Sequence, residues 1–317
     1  MNHLEASFTG KNSFWRYLVM IVAVFLASNT IGALPLLISF ISKSVSDPGV
    51  AEKIAQNPSD ISPLGVDPNY GLFMMLFPFI TALIAFFLLV KPLNGKSFMQ
   101  VVNGGKPFRW NRFLVAALIW AGVSFIYLFG YLNLDPGNFT KNADTSKLAI
   151  LIAVAVLFIP FQAAFEEVLF RGYLMQGFST LVPRKYFPLI MTSLFFGLLH
   201  AFNPEVKEYG FWTMMPQYIL FGLIFGIVTV MDEGIEAAIG AHAANNAFLC
   251  IMVTNESSTL QTPALYEQHT IHPWTEFTAM VLIGIVIIIG LKYIFRWKSF
   301  GTLMEVIKRP EPQDQIS

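Results

Sequence analysis

The residues able to do chemistry sit where charge is most costly. The stretch AFEEVLFRG, residues 164–172, places Glu166, Glu167 and Arg171 at the end of LAILIAVAVLFIPFQA, sixteen residues with no charge. Two later apolar segments carry histidine: SLFFGLLHAF with Phe196 and His200, and GIEAAIGAHAANNAFLC with His242 and Asn246. Each of these two pairs has i, i+4 spacing, so its members share one face of a helix. A carboxylate, two imidazoles and an amide suit the activation of water. Glu166 can take a proton as general base, and His200 can hold the water or share its proton. His242 and Asn246 can donate to the oxyanion of a tetrahedral intermediate. The same groups can also be read as a zinc site, since two histidines and a glutamate are a catalytic zinc set. The H-E-x-x-H pattern is absent. A third reading is a proton or ion relay in a transporter, although no inverted repeat or pair of broken helices is visible. Each pair alone also fits a plain hydrogen bond between buried helices.

Helical geometry separates the two glutamates. Glu167 and Arg171 are i and i+4 and can pair. Glu166 lies about 100° around the helix, so Arg171 holds Glu167 as a structural ion pair and Glu166 faces another partner. Counting from the 180–186 connection puts Glu166 and His200 at matching depth, each thirteen residues along its helix. His242 and Asn246 enter the same layer if the turn at Gly234 lies on the same side.

The elements that must position these groups are membrane helices. The chain of 317 residues is 55% hydrophobic and 13% charged, against about 25% charged in soluble domains. Residues 71–90, 113–133 and 274–296 are each long enough for roughly 30 Å of hydrocarbon. The expected fold is all-α and polytopic, with about eight spans near 17–42, 71–90, 113–133, 148–179, 187–202, 213–231, 234–254 and 274–296. The fourth is too long, since thirty-two residues make roughly 48 Å. Either Pro160 kinks it or its end beyond Gly172 leaves the membrane. Gly222 and Gly226 form a small-xxx-small face for close helix packing. The 43–69 loop has room for one short surface helix, and the tail PEPQDQIS reads as disordered.

With the N-terminus in the cytoplasm, fourteen Lys and Arg fall inside and five outside, with Arg171 within a span. Both termini are therefore expected to be cytoplasmic. Residues 1–13 are polar and the first apolar run passes residue 30, a pattern without a cleavable signal. Net charge is zero, which points away from nucleic acid as a partner. The single cysteine, Cys250, excludes an internal disulfide and a cysteine zinc cage.

The three motifs, EEVLFRG, FGLLH and HAANN, resemble those of the CPBP family, also called Abi: Glu-Glu-x-x-x-Arg, Phe-x-x-x-His and His-x-x-x-Asn, in that order. The family includes the eukaryotic type II CAAX prenyl endopeptidase and bacterial proteins tied to bacteriocin processing and self-immunity. Every motif position is matched: Glu166, Glu167, Arg171, Phe196, His200, His242 and Asn246. The resemblance covers about 148–254, which divides the chain into N-terminal helices (1–147), a catalytic core (148–254) and an outer loop, last helix and tail (255–317). It implies an eight-helix intramembrane endopeptidase acting on a peptide or membrane-protein substrate within the lipid bilayer. It also implies that Glu166 and His200 activate water while His242 and Asn246 form the oxyanion hole. Glu167, Arg171 and Phe196 are supporting residues. No cofactor is required, zinc being the alternative. An immunity scaffold without peptidase activity is a further alternative.

Overall fold

The computed structural model describes residues 1–56 and 61–309. The polar tail expected to be disordered lies outside these, as do residues 57–60 of the long loop. The described α-helices are α1 (Phe14–Asn29), α2 (Leu34–Ser46), α3 (Val50–Gln56), α4 (Pro68–Asn94), α5 (Phe98–Asn103), α6 (Trp110–Leu134) and α7 (Leu148–Glu167). A π-helical turn, Val168–Leu174, joins α7 to α8 (Met175–Leu181). There follow α9 (Tyr186–Leu199), α10 (Pro204–Tyr209), α11 (Phe211–Asp232), α12 (Glu236–Met252) and α13 (Pro273–Phe295). The protein is an all-α polytopic membrane protein. Among the described residues, six helical stretches are long and apolar enough to cross a membrane: 14–46, 68–94, 110–134, 148–181, 211–232 and 273–295. The fifth and seventh expected spans are present as helices, but α9 has 14 residues and α12 has 17. α9 falls short of the usual span length, and α12 stands at its lower limit.

The reason for α12 lies in its composition. Its Ala237, Ala238, Gly240, Ala241 and Ala243 are all buried. Small side chains let neighbouring backbones approach closely, and α12 packs against α6, α7 and α11. At Gly240 a Cβ would collide with the backbone of Phe113 in α6. A helix surrounded by protein needs no apolar exterior. The outward sides of α1, α6, α7 and α13 do expose large apolar residues, among them Phe25, Leu118, Ile126, Leu157 and Leu282, as lipid contact requires.

Several local expectations meet the structure directly. The first span is broken at residues 30–33, ahead of Pro35 in the first turn of α2. Gly32 there lies so near α4 that a Cβ would be 2.6 Å from Pro78 Cα. The short helix in the 43–69 loop is α3. Gly222 and Gly226 both face α9, and a Cβ at Gly222 would be 2.7 Å from Ser193 Cα. The fourth span runs α-helical through Pro160, and its register breaks at the π-turn. Three short strands, β1 (Phe139–Lys141), β2 (Val253–Thr254) and β3 (Tyr266–Gln268), form a sheet in the order β1-β3-β2. β1 is antiparallel and β2 parallel to β3.

An ion cluster pins the starts of α6 and α12 to the end of α11. Arg109 reaches Glu236 at 2.6 Å and Asp232 at 2.9 Å, and Arg112 reaches Asp232 at 3.3 Å. Asn103 and Trp297 donate to the same carboxylates at 2.6 and 2.7 Å.

Candidate active site

Three helices and the π-turn bring the motif residues together. Glu166 and Glu167 end α7, Arg171 lies in the π-turn, and His242 and Asn246 stand one turn apart on α12. A π-turn shifts the hydrogen-bond register of a helix and re-aims its side chains. Arg171 and Glu167 are fully buried, and Glu166 and His242 are 5% and 4% exposed. At such burial each charge needs a partner.

Arg171 Nη1 donates to Glu167 Oε1 at 3.0 Å, the expected i, i+4 pair. Its Nη2 reaches the Gly222 carbonyl at 3.3 Å. Its guanidinium carbon lies 4.2 Å from the centre of the Phe196 ring, a cation–π contact. The same Glu167 oxygen takes His242 Nδ1 at 2.8 Å. Glu167 thus does more than balance Arg171. It fixes the tautomer and orientation of His242, because a carboxylate there accepts and Nδ1 must carry the proton. His242 also stacks on Phe225, with ring centroids 4.9 Å apart.

The other imidazole nitrogen, His242 Nε2, lies 3.7 Å from Glu166 Oε2. Glu166 therefore faces α12, away from Arg171. Its Oε1 accepts from Gln162 Nε2 at 2.5 Å. Gln162 in turn accepts from Asn246 Nδ2 at 3.0 Å. So Glu166, Glu167, Arg171, His242 and Asn246 form one network, with Gln162 as the bridge.

His200 is placed differently. It follows the last residue of α9, with Nδ1 2.8 Å from the Phe196 carbonyl. Its ring stacks on Tyr218, centroids 4.6 Å apart. Among the described residues no hydrogen bond or ion pair joins it to Glu166 or His242. The Phe196 ring lies against both histidines, with centroid distances of 4.7 Å to His200 and 6.1 Å to His242. Since a carbonyl only accepts, His200 Nδ1 bears the proton and Nε2 is free to accept one. Among the described residues no three His, Cys, Asp or Glu side chains are grouped closely enough to hold a metal ion.

Sequence reasoning missed Gln162, Asn245 and Trp120. Asn245 Nδ2 donates to Asn246 Oδ1 at 2.9 Å, and Trp120 Nε1 donates to Asn245 Oδ1 at 3.1 Å. Gln162 carried a readable signal, being a polar residue four before Glu166 in an otherwise apolar run. Trp120, on another helix, carried none.

The arrangement can hold a water between a buried carboxylate and an imidazole, with an amide alongside. Its motif residues lie inside the segment, 145–248, that matches the family model described as "Type II CAAX prenyl endopeptidase Rce1-like". The "Uncharacterized protein YyaK" of Bacillus subtilis (strain 168) is 27% identical over 263 residues, covering 81% of this chain and 84% of that protein. No solved structure matches. The likeness supports an intramembrane protease, a hydrolase working within the bilayer. The resemblance carried by the three motifs is thus borne out: residues 145–248 of this membrane protein are similar to the type II CAAX prenyl endopeptidases.

Proposed function

We propose that the protein hydrolyses a peptide bond inside the membrane by direct attack of water, with Glu166 as general base. Glu166 Oε2 takes a proton from water, the hydroxide attacks the carbonyl, and the carboxyl returns the proton to the leaving amine. His200 shares the water through Nε2. Asn246 donates an N–H to the oxyanion, and His242, with Nδ1–H held by Glu167, donates from Nε2 as the imidazolium. Arg171 and Phe196 hold that frame. This scheme needs no metal.

The observation that carries the reading is the junction at Glu166. One oxygen is tied to Gln162 and hence to Asn246. The other is buried, without a hydrogen-bond partner among the described residues, and faces His242. Glu167 Oε2 is likewise without a hydrogen-bond partner among the described residues, but Glu167 Oε1 is held by both Arg171 and His242, whereas Glu166 has no Lys or Arg partner. The substrate class suggested by the family description is a prenylated CAAX peptide. The test is a comparison of peptide termini in membranes from cells carrying the wild type and cells carrying Glu166→Ala. New termini present only with the wild type are expected, and they name the substrate. Identical termini, at equal protein level, would sink the peptidase reading.

A further inference from the structure

A side-chain amide can be turned end for end with little change in shape, so a neighbour must choose which end faces the site. Here the choice begins at Trp120. Its indole N–H can only donate, so Asn245 must present Oδ1 to it, at 3.1 Å. That leaves Asn245 Nδ2 to donate to Asn246 Oδ1 at 2.9 Å. Asn246 then has only N–H groups left. One goes to Gln162 Oε1 at 3.0 Å, and Gln162 Nε2 is turned to Glu166 Oε1 at 2.5 Å. One donor-only residue on α6 sets the direction of three amides across α12 and α7. The chain is sheltered: Trp120, Gln162 and Asn245 are 1%, 6% and 9% exposed, and Trp120 packs on Phe225, the ring on which His242 stacks.

We infer that Trp120, Asn245 and Gln162 are positioning residues, which make Asn246 face the reaction centre as an N–H donor and tie one oxygen of Glu166 so that the other faces water. The inference rests on the proposed roles of Glu166 and Asn246. With Asn246 reversed, its carbonyl oxygen would meet the oxyanion and repel it. The chain supplies what an oxyanion donor needs, an orientation set before the substrate arrives.

The sharpest variant is Asn245→Asp. An aspartate keeps the acceptor for Trp120 but has no N–H for Asn246 Oδ1, so the Asn246 amide is driven to turn round. Two measurements on full-length protein in detergent separate the outcomes. The first is the side-chain amide NMR signal of Asn246, assigned by its loss in Asn246→Ala. In the wild type one of its two N–H protons should be shielded from exchange by Gln162. That shielding should vanish in Gln162→Leu, and the signal should shift in Asn245→Asp. This spectrum decides the orientation whether or not a given peptide is a substrate, and two freely exchanging protons in the wild type would overturn it.

The second is cleavage of an internally quenched farnesylated CAAX peptide. Asn245→Asp should lower kcat by roughly 10²–10³, the usual loss for one oxyanion donor, with KM unchanged. In an Asn246→Ala background the same change should add less than about twofold, because the chain acts through Asn246. Trp120→Phe keeps the ring and removes the donor, so it serves if Asn245→Asp fails to fold. It should cost about two- to tenfold in kcat. A merely structural chain would lower thermal stability and leave kcat per folded molecule unchanged, and that result overturns the proposal. Glu166→Gln is run alongside. If it still cleaves, the reading of Glu166 fails. If it is inactive while folded Asn245→Asp has the wild-type kcat, only the positioning proposal fails.

Discussion

Two carboxylates one residue apart have different partners here because 100° of helical rotation separates them. Glu167 meets Arg171 and His242, while Glu166 meets Gln162 and the open face of His242. Their variants should therefore fail in different ways. Glu166→Gln is nearly isosteric and keeps hydrogen-bonding groups, so it should fold and melt as the wild type yet lose cleavage. Full cleavage by Glu166→Gln would end the general-base reading. Arg171→Ala strands Glu167 in a low-dielectric interior, a change costing on the order of 3–5 kcal/mol. It should lower folded protein in the membrane, as read by a thermal melt of the purified variant. A variant that accumulates and melts normally but does not cleave would move Arg171 into the catalytic machinery. Activity should persist in chelator and the purified protein should hold no stoichiometric zinc. Loss of cleavage on chelation, with recovery on adding zinc, would favour the metalloprotease reading.

At the scale of elements, the N-terminal segment is tied to the π-turn. His3 Nε2 lies 2.8 Å from the Arg171 carbonyl, and Gln176 donates to the His3 carbonyl at 3.0 Å. Lys96 bridges Ser7 and Gln176 at 3.3 and 3.2 Å. Burial pushes the His3 imidazole down to about 4, a shift opposed by its hydrogen bond to Arg171 and by Glu236, and aided by Arg109 and Lys96. His3 is therefore neutral when docked. A histidine with a depressed folded value binds protons more readily when released, so docking is fully stable above the unfolded value near 6.5 and weakens as pH falls towards 4. The loss is on the order of 3 kcal/mol. The protection factors of residues 3–8, exchange rates corrected for their intrinsic pH dependence, should fall over that window in the wild type and stay flat in His3→Gln. A flat wild-type profile would refute the coupling. The α6–α12 contact has a steric test. Gly240→Leu would drive a side chain into the Phe113 backbone, where overpacking costs at least about 1–3 kcal/mol. The melting temperature should fall by several degrees, and an unchanged melt would show that the two helices can part.

For the whole molecule the open proposal is orientation. The 91–112 segment carries five Lys or Arg residues, and we place it with both termini in the cytoplasm. Single cysteines report this best at exposed sites. Lys106 and Gln261 qualify. Gly104 does not, being at φ +82° where a Cβ would lie 2.5 Å from the Met1 carbonyl oxygen, and Thr262 is buried. With the buried Cys250 replaced by alanine, Lys106→Cys and Gln261→Cys should react with an impermeant maleimide from opposite sides. Reaction from the same side would defeat the topology.

The sequence alone determined what depends on local spacing and on the solvent. Long uncharged runs admit only membrane helices, and i, i+4 spacing decided that Glu167 pairs with Arg171 while Glu166 looks elsewhere. The small-residue face at Gly222 and Gly226 was readable for the same reason. Tertiary structure decided whatever needed two distant segments. Only packing shows that α12, at the lower limit of span length, is enclosed by α6, α7 and α11. Only packing gives His200 to Tyr218, and His242 to both glutamates. Gln162, Asn245 and Trp120 were invisible as a set because a neutral amide or indole announces no role by type. Each acquires one when a neighbour on another helix can donate only, or accept only, and so dictates which way the next group must turn.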